Sequence, residues 1–218
     1  MKKSYSIFVV ALLFMNNAGF GQADINLEQY HIVDPHQPYT YMPVMHYQHK
    51  KNWYAEARYN YEEVETFSLY LGRAFTGGNE LNYSVVPMLG GSMGKFKGVS
   101  TGLNIDMEYN KFFFSSQSQY SMPVSQYGQN YWYSWSEVGY QSMKWLYAGL
   151  SVQHTHDRLI GDEVQPGMMI GFMFNKFTIP VYTFDPFTNG RNFIVGFNMA
   201  WKHGKKKQPA YPVVKNDQ

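Results

Sequence analysis

Residues 99–109 read Val-Ser-Thr-Gly-Leu-Asn-Ile-Asp-Met-Glu-Tyr, and apolar and polar side chains alternate along this stretch with a period of two. Apart from Thr101, the odd positions are apolar or aromatic, whereas the even positions are small, polar or acidic. A helix would bring Asp106 onto the face that carries Leu103 and Met107. The alternation therefore predicts a β-strand with one apolar and one polar face.

The same period recurs from Asn52 to Trp201 and predicts an all-β chain. Residues 191–201 repeat it clearly, with Phe193, Val195 and Phe197 on the apolar face. We predict about ten antiparallel strands, near residues 52–61, 65–75, 81–90, 98–109, 111–121, 130–140, 144–154, 165–174, 176–184 and 191–201.

The composition favours β structure and excludes several classes of protein. Tyrosine (19), phenylalanine (16) and glycine (19) are abundant, while charged residues make up only 16% of the 218 residues. The absence of cysteine excludes disulfide scaffolds, thiolate metal sites and cysteine nucleophiles. After residue 21, no apolar run reaches the roughly 18–20 residues of a membrane helix, which excludes a helical membrane protein.

The first 21 residues have the features of a secretory signal peptide. Lys2 and Lys3 precede an apolar core at residues 7–15, and small residues surround the expected cleavage point near Gly21. We therefore expect the protein to be exported. Removing the two signal lysines cancels the formal net charge of +2, so the mature chain has no basic excess that would indicate nucleic-acid binding.

Alternation fixes which residues share a face but not what that face contacts, so two architectures remain. A soluble sandwich or lipocalin-like barrel would turn the apolar face inward, whereas a transmembrane barrel would turn it toward lipid. Strands of about ten residues, rising about 3.3 Å per residue and tilted about 45°, cover roughly 23 Å, close to the apolar band of an outer-membrane barrel.

The connections between the predicted strands favour the membrane architecture. They are short at residues 76–80, 110, 141–143 and 175, and mostly long at residues 91–97, 122–129, 155–164 and 185–190. Short periplasmic turns and long external loops are typical of outer-membrane barrels. We therefore predict an antiparallel up-and-down transmembrane β-barrel of about ten strands, with both chain ends in the periplasm.

In this architecture the chain resembles the outer-membrane β-barrel proteins of double-membraned bacteria, over the signal and residues 52–203. Those proteins commonly end in a strand that the insertion machinery reads, and Gly196, Met199 and Trp201 approximate its spacing. The chain departs from this pattern by continuing to Gln218. The opening at Asn52 and residues 133–137 are also similar to an uncharacterised family of small, porin-like barrels. The resemblance implies an outer-membrane location, with outer-membrane lipid and the insertion machinery as partners.

This interpretation divides the chain into a signal peptide (1–21), an irregular periplasmic segment (22–51), the barrel (52–203) and a basic periplasmic tail (204–218). The second segment contains four histidines whose spacings of 5, 10 and 3 residues match no compact metal motif, namely His31, His36, His46 and His49. We therefore expect no metal site there. The tail could contact anionic headgroups or an acidic partner, or remain in solvent.

The polar faces of the predicted strands supply candidates for a lumen. The residues expected to line it are Glu56, Arg58, Asn60, Asn104, Asp106, Glu108, Lys111 and Glu137. Because side chains fill barrels of about eight strands, we expect a narrow or blocked pore whose acidic lining disfavours anions. The residues expected to face lipid are Leu69, Leu103, Ile105, Phe114, Phe172 and Phe197.

One group at the predicted outer rim has catalytic potential. Its candidate residues are His154, His156 and Asp157. A histidine that is held in place by a carboxylate could act as a general base. No second acidic pair and no serine nucleophile motif accompany it, so a solvated loop is the simpler interpretation.

The sequence thus predicts an outer-membrane barrel with a structural, adhesive or narrow-channel role and no cofactor. A rim enzyme acting on lipid or peptide, and a soluble periplasmic barrel that binds an apolar ligand, remain alternatives.

Overall fold

A computed structural model describes residues 23–35, 37–125, 128–159 and 161–201. The predicted signal peptide and the basic tail lie outside these residues. The described chain forms thirteen β-strands: β1 (Ala23–Val33), β2 (Thr40–His49), β3 (Trp53–Tyr59), β4 (Thr66–Arg73), β5 (Phe75–Gly77), β6 (Leu81–Gly94), β7 (Gly98–Tyr109), β8 (Phe112–Pro123), β9 (Tyr131–Met143), β10 (Leu146–Asp157), β11 (Gly161–Phe174), β12 (Phe177–Phe184) and β13 (Asn192–Trp201). In this part of the chain, no helix is long and apolar enough to cross a bilayer.

The strands close into one antiparallel barrel. Each strand pairs with its neighbours in sequence, β1 pairs with β13, and β4 pairs with β6 to complete the ring. Strand β5 continues β4, because Gly72 opposite Met88 and Phe75 opposite Val85 belong to the same register. The barrel therefore has twelve strands, and β4 with β5 counts as one of them.

The prediction of an antiparallel barrel is confirmed, but the predicted number of about ten strands is wrong. Segment 22–51, predicted to be irregular, contributes the two additional strands β1 and β2. Proline at position 43 obscured this hairpin in the sequence, since proline cannot donate a ladder hydrogen bond. In the structure Pro43 pairs with Gln29 on one side only, because β3 pairs with β2 only from Val44 onward.

The described part of the barrel buries charged and polar side chains and exposes many large apolar ones. Glu56 and Arg58 are 1% and 2% exposed, whereas thirty-eight large apolar or aromatic side chains are exposed. A protein surrounded by water would show the reverse distribution. The outer face therefore suits hydrocarbon, as in transmembrane barrels.

Aromatic side chains fill much of the interior by lying over glycines of the neighbouring strand. A Cβ at Gly171 would lie 1.9 Å from Cζ of Tyr147, and one at Gly90 would lie 2.4 Å from Cδ1 of Tyr70. Only glycine leaves room for the rings at these positions. The largest buried apolar cluster comprises Tyr30, Met42, Phe113, Trp135, Tyr147, Met169, Tyr182, Phe184 and Ile194.

The two ends of the barrel differ in the length of their connections. One end, here called the turn end, carries the start of β1, the end of β13 and the connections 50–52, 78–80, 110–111, 144–145 and 175–176. The other, the loop end, carries the connections 34–39, 60–65, 95–97, 124–130, 158–160 and 185–191. The predicted asymmetry is present. However, the connections predicted at 91–97 and 155–164 are shorter, because β6, β10 and β11 extend into them.

Candidate functional site

A network of charged side chains crosses the inside of the barrel on β1, β2 and β3. Glu56 accepts hydrogen bonds from the guanidinium Nε of Arg58 and from the hydroxyl of Tyr54. The imidazole of His46 lies between two carboxylates, with Nδ1 3.0 Å from Oε2 of Glu56 and Nε2 3.1 Å from Oε1 of Glu28. Carboxylate oxygens at both ring nitrogens suit the doubly protonated, positively charged imidazole.

Arg58 connects this network to the opposite wall of the barrel. Its Nη1 donates to Oε1 of Gln119 on β8 at 2.5 Å, and its guanidinium lies 4.2 Å and 4.4 Å from the ring centroids of Tyr61 and Tyr70. Contacts between strands so distant in the ring occur only through the lumen. Arg58 therefore occupies part of the cross-section of the barrel.

The connection 60–65 folds into the lumen from the loop end. The side chain of Glu62 is fully buried and accepts hydrogen bonds from Ser68 and, at 2.9 Å, from the hydroxyl of Tyr70. The hydroxyl of Tyr61 donates to Oε1 of Gln117 at 3.0 Å. We call residues 60–65 the inward loop, because its side chains narrow the outer half of the lumen.

Inside the barrel, a small cavity of about 10 Å³ is lined by Tyr30, Tyr61, Ser115, Gln117, Trp135 and Glu137. Its walls combine aromatic rings with amide, hydroxyl and carboxyl groups. Asp106 lies next to this lining and accepts a hydrogen bond from Ser115 at 2.9 Å. The cavity is therefore polar on several sides and has room for about one water molecule.

Acidic groups outnumber basic ones in the lumen. Among the described residues, the strands turn only Arg58 and His46 inward as basic side chains, whereas a larger set of carboxyl groups points inward from the strands and the inward loop, including Glu28, Glu56, Glu62, Asp106, Glu108 and Glu137. Carboxyl groups in excess of basic side chains attract cations and repel anions.

The predicted lumen residues lie in two places. Six of them face the interior: Glu56, Arg58, Asn104, Asp106, Glu108 and Glu137. Asn60 is instead a structural residue of the inward loop, where its Nδ2 donates to the carbonyl of Tyr41 and its Oδ1 accepts from the amide of Glu65. Lys111 is exposed in the turn 110–111, with Nζ 5.9 Å from the Tyr140 ring centroid. For Asn60 and Lys111 the prediction is wrong, because alternation assigns faces only within strands.

Three charged residues of the network were not predicted: Glu28, His46 and Glu62. Glu28 and His46 belong to the two strands that the sequence analysis missed. A period-two pattern does run through Asp24, Asn26, Glu28 and Tyr30, and it was the available signal. No periodic signal marks Glu62, since it lies in a connection.

The residues predicted to face lipid lie on the outside of the barrel. Leu69, Leu103, Phe114 and Phe197 are 37–48% exposed. Ile105 and Phe172 are on the same face but are partly covered by neighbouring side chains, such as Trp145, whose ring stacks on Phe172 at a centroid distance of 6.3 Å. Contact of these six residues with lipid remains a proposal.

The predicted catalytic group does not assemble. His154 and His156 are on the outer face of β10, and both contact Oδ1 of Asp162, at 2.8 Å and 2.9 Å. Asp157 instead accepts a hydrogen bond from the amide of Leu159 at 2.7 Å. Within the described ranges, no three histidine, aspartate or glutamate side chains are arranged to hold a metal ion.

The histidine pair leads to a prediction about pH. Hydrogen bonds from His154 and His156 lower the pKa of the exposed Asp162 carboxyl below its usual 3.8. The contact therefore stabilises the fold above pH 4 and is lost as the pH falls through the lowered pKa. Carboxyl carbon NMR of the refolded protein should show Asp162 titrating below 3.8, and replacing both histidines with glutamine should raise its pKa toward that value. An unchanged pKa in the double variant would contradict the contact.

No protein-family model and no curated protein matches this sequence. Solved structures do match its fold. The KdgM porin aligns with 81% of this chain and 99% of its own, with a TM-score of 0.59 and 8% identity. The NanC porin aligns with 82% and 99%, with a TM-score of 0.55 and 9% identity. A KdgM porin in complex with disordered oligogalacturonate gives a TM-score of 0.60 at 7% identity, over 81% and 99%. The chain therefore shares the closed barrel of these small porins.

Proposed function

We propose that this protein is an outer-membrane β-barrel that forms a narrow conduit for small cationic and neutral polar solutes. The exposed apolar belt and the length of the strands support a position in a bilayer. The long connections belong outside the cell in this proposal, and the turn end belongs in the periplasm. Recognition of Gly196, Met199 and Trp201 in β13 by the insertion machinery stays a prediction.

The excess of carboxyl groups in the lumen is the observation that carries the proposed selectivity. A solute that passes the inward loop must approach Glu62, Asp106 and Glu137 while meeting Arg58 as the one guanidinium that the described strands turn inward. Charged rings in a pore set selectivity by attracting ions of opposite charge. Cations are therefore favoured over anions.

The charge of this lumen argues against an acidic oligosaccharide as the solute. One of the structures with a similar fold is a KdgM porin in complex with oligogalacturonate, each sugar of which carries a carboxylate. Such a chain would meet the carboxyl groups described above, and like charges at close range repel. The proposed solutes are therefore opposite in charge to that ligand.

Ion current through the purified protein in a planar bilayer tests the proposal. With a potassium chloride gradient, we expect small unitary conductance and a reversal potential of the sign that indicates cation preference. Glu137→Gln with Asp106→Asn should reduce that preference, whereas Asp185→Asn, in the connection 185–191, should not. Anion preference in the unmodified protein would contradict the proposal.

A closed structural or adhesive barrel is the second candidate. It is favoured by the filling of the interior, since Tyr70, Tyr147, Tyr182 and Phe184 are all at most 2% exposed. The same bilayer measurement separates the two candidates, because a closed barrel inserts without producing unitary currents.

A further inference from the structure

Exposed lysines mark four of the five connections at the turn end. Lys50 and Lys51 lie in 50–52, Lys111 in 110–111, Lys144 in 144–145 and Lys176 in 175–176, and all five side chains are exposed. The remaining connection, 78–80, contains Glu80. Because these strands are distributed around the ring, the lysines surround most of the barrel rim.

Exposed aromatic rings lie within two residues of these lysines, at the strand ends or, for Trp145, in the connection 144–145. They are 38–60% exposed and comprise Trp53, Tyr109, Phe112, Trp145, Phe174 and Phe177. Tryptophan and tyrosine settle at the boundary between hydrocarbon and headgroups, and a lysine just beyond that boundary reaches the phosphate level. The strands next to Lys51, Lys111 and Lys176 therefore show the order apolar belt, aromatic ring, lysine.

The positive charge is specific to the turn end. In the loop-end connections, the four basic residues Lys95, Lys97, Arg158 and Arg191 are outnumbered by five acidic ones, namely Asp34, Glu62, Glu63, Glu65 and Asp185. One of these bases is also paired, with Nζ of Lys95 3.6 Å from Oε2 of Glu65. A general need for solubility would not concentrate the lysines at one end.

We propose that the turn-end lysines bind the anionic phosphate groups of the phospholipid leaflet that surrounds the turn end. The inference rests on the membrane position given under the proposed function. Lysine ammonium groups near a negatively charged leaflet are attracted to it, and the attraction falls off within a Debye length. The lysines thereby fix the depth and the direction of the barrel in the bilayer.

Lipid selectivity around the full-length protein tests this inference. The protein is reconstituted in nanodiscs of phosphatidylcholine with increasing phosphatidylglycerol, and quenching of tryptophan fluorescence by brominated forms of each lipid gives their relative binding. In the turn variant Lys50, Lys111, Lys144 and Lys176 become glutamine. In the matched loop variant Lys95, Lys97, Arg158 and Arg191 become glutamine.

We expect the unmodified protein and the loop variant to prefer phosphatidylglycerol, and the turn variant to lose about tenfold of that preference. High salt should reduce the preference of the unmodified protein. Equal selectivity in the two variants, or no preference in the unmodified protein, would overturn the inference. Failure of the unmodified protein to insert even in pure phosphatidylcholine would instead contradict the membrane position. Heat-modifiable mobility of each variant in gels verifies that it has folded.

Discussion

Replacing Arg58 with methionine is expected to lower the free energy of unfolding by about 3–5 kcal/mol, because it leaves buried carboxylates without their partner. Arg58 donates to Glu56, Glu62 and Gln119, and its guanidinium packs on two tyrosine rings. The substitution keeps most of the apolar volume of the side chain but removes its charge and all of its hydrogen bonds. Reversible urea unfolding of the refolded protein in lipid measures the change.

Arg73→Met is the matched control for this prediction. Arg73 is exposed at the end of β4, with its guanidinium 5.9 Å from the Trp53 ring centroid, so its loss should change the stability by at most about 0.5 kcal/mol. Adding Glu56→Gln to Arg58→Met should recover part of the lost stability, because it removes the buried carboxylate charge that Arg58 no longer balances. Equal effects of Arg58→Met and Arg73→Met would mean that the network does not stabilise the barrel.

Leu69→Arg is expected to cost about 2–4 kcal/mol in lipid, because it places a guanidinium on the hydrocarbon-facing surface. Leu69 is in β4, 48% exposed, and lies between Ala57 and Gly91 of the neighbouring strands. In a water-soluble barrel the same substitution at a half-exposed site would change the stability by about 0.5 kcal/mol or less. Unfolding titrations of the protein in bilayers measure the cost.

Leu159→Arg provides the control with the same change of side chain. Leu159 is 78% exposed in the connection 158–160, beyond the ends of β10 and β11. It should tolerate arginine at almost no cost. A similar small cost for both variants would show that Leu69 contacts water.

The sequence predicts the strands of this fold better than it predicts the contents of the lumen. Period-two alternation locates β3, β4 and the strands from β6 onward, because most of those strands present one mainly apolar face. Strand β2 was not predicted because Pro43 and two polar histidines, His46 and His49, interrupt its alternating pattern. Its proline is tolerated because β2 and β3 pair only from Val44 onward, and the sequence of β2 contains no information about that.

The contacts that define the candidate site depend on how the barrel closes. Arg58 meets Gln119 across the lumen only because twelve strands and their stagger bring β3 and β8 face to face. Alternation identifies Arg58 and Glu56 as facing inward but cannot supply that geometry. It is also silent about Glu62, whose position depends on the fold of the inward loop. The acidic character of the lumen, in contrast, can be predicted from the sequence, because alternation shows which strand face carries the carboxyl residues.

Accessibility of single spin labels on β8 tests most directly whether hydrocarbon surrounds the barrel. The chain contains no cysteine, so Phe113→Cys and Phe114→Cys each introduce a unique labelling site. Phe113 is 8% exposed and faces the lumen, whereas Phe114 is 38% exposed and faces outward. In lipid bilayers, we predict that the label at 114 collides readily with oxygen and rarely with a water-soluble nickel chelate, while the label at 113 is shielded from both. A label at 114 that the nickel chelate reaches more readily than oxygen does would contradict the account.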